Sequence, residues 1–181
     1  GESFAVADEW WALGEEPWFT LGDKDLALHL IRLEATGRGQ SLTDITRDLA
    51  RRLGVRADVL PMCDGPAPTL IDSAEGRLAF QEYFVRRRCA PVVRALHFGG
   101  VRQRISTAVA DALSGAEGLI LCPSNPLLSI APILATGGMT DALRARRAPC
   151  VAVSPIVAGT AVKGPTAKIF TELGLSIDAL T

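Results

Sequence analysis

Between Gly118 and Thr140 the chain carries no charge, yet Pro123, Ser124, Asn125 and Pro126 sit inside this apolar stretch. The run before them, "GLILC", is aliphatic without alternation, as in a strand buried on both faces of a parallel sheet. The strand ends at Pro123, where a loop begins. "CVAVSPIVAG" (Cys150 to Gly159) repeats the pattern, an apolar run closed by Ser-Pro and Gly. "ADVLPMCDG" (Ala57 to Gly65) is a third such run, and "RALHF" (Arg94 to Phe98) a weaker fourth. "GRLAFQEYFV" (Gly76 to Val85) alternates like a strand in its first half and reads into a helix in its second.

Helical spacing fills the gaps. "DKDLALHLIRLEAT" predicts a helix with Leu26, Leu30 and Leu33 turned inward. "LTDITRDLARRLGV" predicts another, with Thr43 as N-cap and Gly54 as its stop. "RQRISTAVADALSGAEG" puts Ile105, Val109, Ala112 and Leu113 on one side. "MTDALRARRAP" has Thr140 as cap, Asp141 in its first turn and arginines in its last, an order that suits the helix dipole. "KGPTAKIFTELGL" has Pro165 at or near its first turn and Gly174 at its end. Strands alternating with helices predict one α/β domain over residues 1–181, three-layered, with a mostly parallel sheet.

A membrane span needs roughly 20 apolar residues. The uncharged stretch has that length, but its prolines would break helix hydrogen bonds, so a buried strand and loop is the better reading. Hydrophobic residues at 48% argue against disorder, and a net charge of −1 gives no general attraction to nucleic acid or anionic membrane. Cys63, Cys89, Cys122 and Cys150 form no CxxC pair, which argues against a zinc site. Cys122 and Cys150 border apolar runs, as buried free thiols do, and point to a reducing cytoplasm. The chain begins with Gly and not Met, as a fragment or a processed chain does.

Ligands of open α/β sheets bind at the carboxyl ends of strands. "PSNP" offers there a hydroxyl, a carboxamide and backbone amides. Asn125 both donates and accepts, which suits a heterocycle edge or a sugar hydroxyl; a plain turn accounts for the same residues. Asp64 suits a metal ligand, a base or a turn cap. "SPIVAGTAVKGPTAKI" carries Lys163 and Gly164 into a helix, a candidate phosphate cradle. Asp23, Asp25 and His29 cluster at a helix start, with Asp25 and His29 one turn apart. The run Arg86 to Arg88 suits phosphate contact or a solvated face.

In order, "WFTLGDKDLALHLIR", "LPMCDGPAPT", "FQEYFVRRR", "LILCPSNPLLSIAPIL" and "VAVSPIVAGTAVKGP" resemble the 2-phospho-L-lactate transferase family, which makes the deazaflavin coenzyme F-420. The resemblance implies a Rossmann-like core with an inserted helical portion. It implies transfer of a phospholactyl or phosphoenolpyruvyl group from a guanosine-diphospho-activated donor to the ribityl hydroxyl of the deazaflavin Fo, releasing GMP with Mg²⁺ as metal. The protein would be a homodimer. On the matching motifs, Asp64 becomes the expected catalytic and metal-binding residue. Ser124, Asn125, Ser129, Ser154, Thr69, Asp23, Asp25, His29, Lys163 and Gly164 become the expected substrate contacts.

Departures accompany the resemblance. The family's glycine-rich opening of the type GGTGG is absent, as is its usual C-terminal tail. Cys63 and Gly65 stand where the family has Ser and a second Asp, and Thr166 and Ala167 follow "KGP" where it has an Asp. The other functional reading is a non-catalytic nucleotide-sugar-binding regulator of the related gluconeogenesis-factor-like branch. The charges of "LGDKDLALH" favour the enzyme.

Overall fold

The computed structural model describes residues 1–15, 18–157, 160–161 and 164–176, which belong to two compact units, Gly1–Pro61 and Met62–Thr181.

The first unit is helical. α1 (Ala5–Ala12) buries none of its side chains. α2 (Asp23–Gly37) packs against α3 (Leu42–Arg52). A helix start leaves backbone N–H groups without partners. At α1 the Asp23 carboxylate accepts from Ala5 N at 3.0 Å and Val6 N at 3.1 Å. Arg47 grips Asp58 through two bonds of 2.9 and 2.7 Å, tying the chain after α3 back onto it. The cap of α3 is Ser41, whose hydroxyl accepts from Asp44 N, and not Thr43, which is buried within the first turn. Gly54 stops the helix with φ +77°, as expected. Leu30 and Leu33 are 58% and 71% exposed, contrary to the inward stripe predicted for α2. The buried residue of α2 is Ala35, near its C-terminal end, and the stripe before it is left open within the unit.

The second unit begins with an antiparallel meander. β1 (Thr69–Ser73) lies between β2 (Gly76–Ala79) and β3 (Val93–Phe98). Between β2 and β3 the chain winds into a π-helical turn, Glu82–Arg86, so the ambiguous segment is strand and then helix as its pattern predicts. Residues 57–65, read as a strand, belong to no sheet: they have no ladder partner.

From there helices alternate with parallel strands. α4 (Thr107–Gly115), capped by Ser106, leads to β4 (Leu119–Leu121). A second π-helical turn, Pro126–Ile130, runs into α5 (Ala131–Leu134) and α6 (Met139–Ala145). β5 (Cys150–Ala152) then pairs in parallel with β4. β6 (Ile156–Val157) and β7 (Thr160–Ala161) pair antiparallel, and α7 (Thr166–Glu172) follows. The α6 cap is Gly138 at φ +84°; Thr140, expected there, donates instead to the Leu134 carbonyl.

β4 and β5 carry the parallel pairing of the described residues, but they are not buried on both faces. Ile120 is 73% and Val151 59% exposed, and no residue of either strand is fully buried. The thiols follow suit: Cys122 is exposed, Cys150 half-buried, and Cys63 is the buried one.

One core joins the meander to the later elements. Ile71, Tyr83, Val93, Leu128 and Ile169 pack together, drawn from β1, both π-helical turns, β3 and α7. α7 is fixed further to the edge of β3. Glu172 accepts from Val93 N at 3.0 Å, and Lys168 donates to the Pro91 carbonyl at 2.9 Å.

The outer face of the meander carries an ion cluster. Arg77 of β2 donates to the Asp72 carboxylate of β1 at 2.6 and 3.0 Å, and His97 of β3 meets it at 2.7 Å. The Arg77 guanidinium, then His97, hold the Asp72 carboxyl well below the usual carboxylate range. A depressed carboxyl adds stability above its unfolded pKa, and that stability is lost as pH falls through its folded pKa. Asp72→Asn should therefore be less stable than the parent at neutral pH. In urea melts the gap should shrink below about pH 4, the ordinary carboxylate range, and vanish in stronger acid. A gap unchanged in strong acid would assign the loss to something other than this charge.

Candidate functional site

A cavity of about 560 Å³ opens beyond the carboxyl ends of β4 and β5, where ligands of parallel sheets sit. Its wall includes Phe80, Phe84, Ser124, Asn125, Ser129 and Ser154.

Phe84 comes from the first π-helical turn and Phe80 from just before it, where β2 ends. Spaced four apart, Phe80 and Phe84 stack with centroids 5.3 Å apart and planes 15° from parallel. Tyr83 anchors the turn between them, fully buried, with its hydroxyl donating to the Cys89 carbonyl at 3.4 Å. Burial pushes the Tyr83 phenol up to about 12, so it stays protonated and able to donate. With Tyr83 pointing into the core, Phe84 remains 41% exposed on the cavity side. Sequence reading missed both rings; their four-residue spacing in the strand-to-helix segment was the available signal.

The opposite wall is the proline-bracketed loop. Asn125 Oδ1 accepts from the backbone N–H groups of Leu127 and Leu128, both at 2.9 Å, and so caps the second π-helical turn. Its Nδ2 donates at 2.9 Å to the hydroxyl of Thr166, itself 1% exposed at the start of α7. A carboxamide has two donor protons and two acceptor sites, so one N–H is left to meet a ligand. Asn125 lines the cavity, but most of its bonding capacity holds the fold.

A second cavity of about 510 Å³ adjoins the first and shares Ser124, Val153, Ser154 and Pro155 with it. Its remaining wall is largely aliphatic, with Leu127, Ile130, Ile156 and Phe170. Ser154 accepts from Ile156 N at 3.1 Å. Gly164 lines the first cavity at φ +76°, a left-handed conformation that favours glycine. Lys163 lies outside the described residues.

The other expected contacts belong to other elements. Thr69 opens β1, opposite Phe98, and lines neither of these two cavities. Asp23, Asp25 and His29 are on α2 of the first unit, where Asp23 is engaged with the start of α1. Asp64 is exposed on the turn before β1. Beside it the buried Cys63 thiol donates to the Gly65 carbonyl at 3.4 Å, and burial raises its pKa. A Cβ on Gly65 would run into the side-chain amide of Gln103. Gln103 therefore fills the space that a second acid would need.

Among the described residues no group of three His, Cys, Asp or Glu side chains could hold a metal. One exposed carboxylate fits a cation that keeps water and phosphate as its other ligands, which is how Mg²⁺ is usually held. Among the described residues no helix is long and apolar enough to cross a membrane.

Comparison with known proteins bears on the whole arrangement. Residues 11–180 match the family model described as 2-phospho-L-lactate transferase CofD. The chain is 37% identical over 180 residues to the 2-phospho-L-lactate transferase of Methanosarcina mazei, covering 99% of this chain and 59% of that one. It is 34% identical over 184 residues to the phosphoenolpyruvate transferase of Streptomyces griseus, covering 98% and 58%. The chain thus spans less than two thirds of the length of these curated relatives. A crystal structure of a Bacillus halodurans protein matches with a TM-score of 0.58 at 15% identity, over 74% of this chain and 41% of that one. At that identity it shows the fold, which is α/β and Rossmann-like, as the alternation of elements predicts.

Asn125→Ala should lower the melting temperature, because it removes a cap and orphans the buried Thr166 hydroxyl, at a cost of about 1–3 kcal/mol. Asn125→Asp keeps the cap acceptor and can accept from the Thr166 hydroxyl, so it should melt closer to the parent. Equal melting of Asn125→Ala and the parent would show that the loop is not held this way.

Proposed function

The chain belongs to the 2-phospho-L-lactate transferase family, and from that premise we propose that its larger cavity receives the deazaflavin Fo as acceptor in coenzyme F-420 biosynthesis. The supporting observation is the form of the cavity: a stacked phenylalanine pair faces a hydroxyl- and amide-bearing loop at a strand end. A planar ring lies well against such an aromatic wall, and a polyol chain needs donors and acceptors beside it. Phe84 offers the ring face. Ser124, Ser129 and Ser154 offer hydroxyls to the ribityl chain, and Asn125 sets their positions through Leu127, Leu128 and Thr166.

The reaction proposed is transfer of a phospholactyl or phosphoenolpyruvyl group from a guanosine-diphospho-activated donor. The ribityl oxygen forms a bond to the phosphorus that carries the acid. The bond from that phosphorus to the GMP oxygen breaks, GMP leaves with the electron pair, and the hydroxyl proton passes to solvent. Positioning and charge neutralisation carry most of the acceleration in such transfers. Asp64 would hold Mg²⁺ together with donor phosphate and water, and the ion would offset the charge developing on the phosphate oxygens. Lys163 and Gly164, ahead of α7, would face the donor phosphates.

Fluorescence titration with Fo tests the acceptor site. Phe84→Ala, which removes a part-exposed ring, should weaken Fo binding by roughly tenfold with little change in melting temperature. Undiminished affinity would remove the aromatic wall from the site. Asp64→Asn should reduce turnover far more than Fo affinity; equal loss of both would assign Asp64 to folding or acceptor binding.

A further inference from the structure

The opposite end of the β4–β5 pair holds a separate cavity of about 380 Å³, lined by Ala110, Ser114, Ala142, Ala145, Arg146 and Arg147. Ser114 lies on α4 just before β4, and the two arginines lie between α6 and β5. These helices pack together, and both end here. The residues lining this cavity differ from all of those lining the proposed acceptor cavity.

Its electrostatics are unbalanced. Neither arginine has a carboxylate partner among the described residues, and no acid lines the cavity. Asp111 and Asp141, the acids on α4 and α6, are exposed and outside its wall. Arg146 Nη1 donates to the Leu143 carbonyl, which caps α6. Its Nε–H, however, is buried without a hydrogen-bond partner. A buried unsatisfied donor on a charged group is costly; Nε itself is shielded from solvent, so the donors left for a ligand are the other guanidinium N–H groups. Helix capping accounts for one of the five N–H donors of Arg146 and leaves Arg147 unused. Two consecutive arginines and a serine lining one cavity supply the groups that recognise an oxyanion.

We propose that this cavity is a phosphate-group binding site, distinct from the acceptor site and lined by Arg146, Arg147 and Ser114. The phosphate group is that of free inorganic phosphate or of a small nucleotide; both present the same oxygens to the two guanidiniums.

The test is NMR titration of the ¹⁵N-labelled chain with inorganic phosphate and, separately, with GMP. Amide shifts of Ala142, Ala145 and Arg147 are followed at low and at physiological salt. Saturable shifts of these amides by phosphate, weakened by salt, are expected. A similar affinity for GMP would identify free phosphate as sufficient, and tighter GMP binding a nucleotide phosphate; either supports the site. Arg147→Gln, which removes no hydrogen bond of the fold, should weaken binding about tenfold with an unchanged melting temperature. Arg146→Gln should weaken it at least as much, and Arg146→Lys should recover only part. The proposal falls if neither probe saturates these amides, if phosphate shifts only residues of the acceptor cavity, or if Arg147→Gln binds like the parent.

Discussion

The carboxamide of Asn125 is the constraint on which the described site depends. It lies where three elements must meet: the end of β4, the π-helical turn after it, and the start of α7 some forty residues later. A hydrocarbon side chain there would leave two backbone N–H groups and a buried hydroxyl without partners. That is why a polar tetrapeptide interrupts the most apolar segment of the chain. The apolar residues around it supply the core through Leu128 and Ile169, and the amide fixes how the pieces are turned. Because Thr166 is buried, the bond to it is shielded from water and more sensitive to geometry than an exposed one.

From that junction the cavity follows. α7 is held to the meander by Glu172 and Lys168, and to the strand-end loop by Thr166. The meander in turn carries the aromatic turn, anchored by Tyr83. The two walls of the cavity are thus parts of one packed body, set by a shared core and a few directional bonds. Such preorganisation would serve the proposed transfer, which relies on position.

What was legible in the sequence was what local pattern records. The apolar runs of β4 and β5, the strand-to-helix switch after Gly76 and the glycine stops at Gly54 and Gly174 each left a local signature. So did the loop at Pro123 to Pro126, because strand ends and turn residues are both local. What misled was tertiary. Leu30, Leu33, Ile120 and Val151 have the composition of core residues, but nothing in a residue's own neighbourhood says whether another element will cover it. Residues 57–65 read as a strand because they are apolar, yet a strand needs a partner. Caps failed by two residues, at Thr43 and Thr140, since Ser, Thr and Gly all qualify and only the helix register selects among them. The bond of Asn125 to Thr166, and the sharing of one cavity by Phe84 and the serines, join residues far apart in sequence and leave no periodic trace.

Gly65 shows how a close steric contact limits the charge a turn can carry. A second carboxylate next to Asp64 would strengthen cation binding, but it would also repel Asp64 and raise the cost of holding both acids ionised. Here the amide of Gln103 occupies that space, so one formal charge stands on the turn. The exchange is coupled sterically: an acid at position 65 requires Gln103 to withdraw, and a shorter residue at 103 leaves a gap beside Gly65. On the proposed reading, a cation at this turn would draw its other ligands from phosphate and water. On that reading the low charge of the turn and the neutral wall of the proposed acceptor cavity would suit a site to which the donor brings the strongest negative charge.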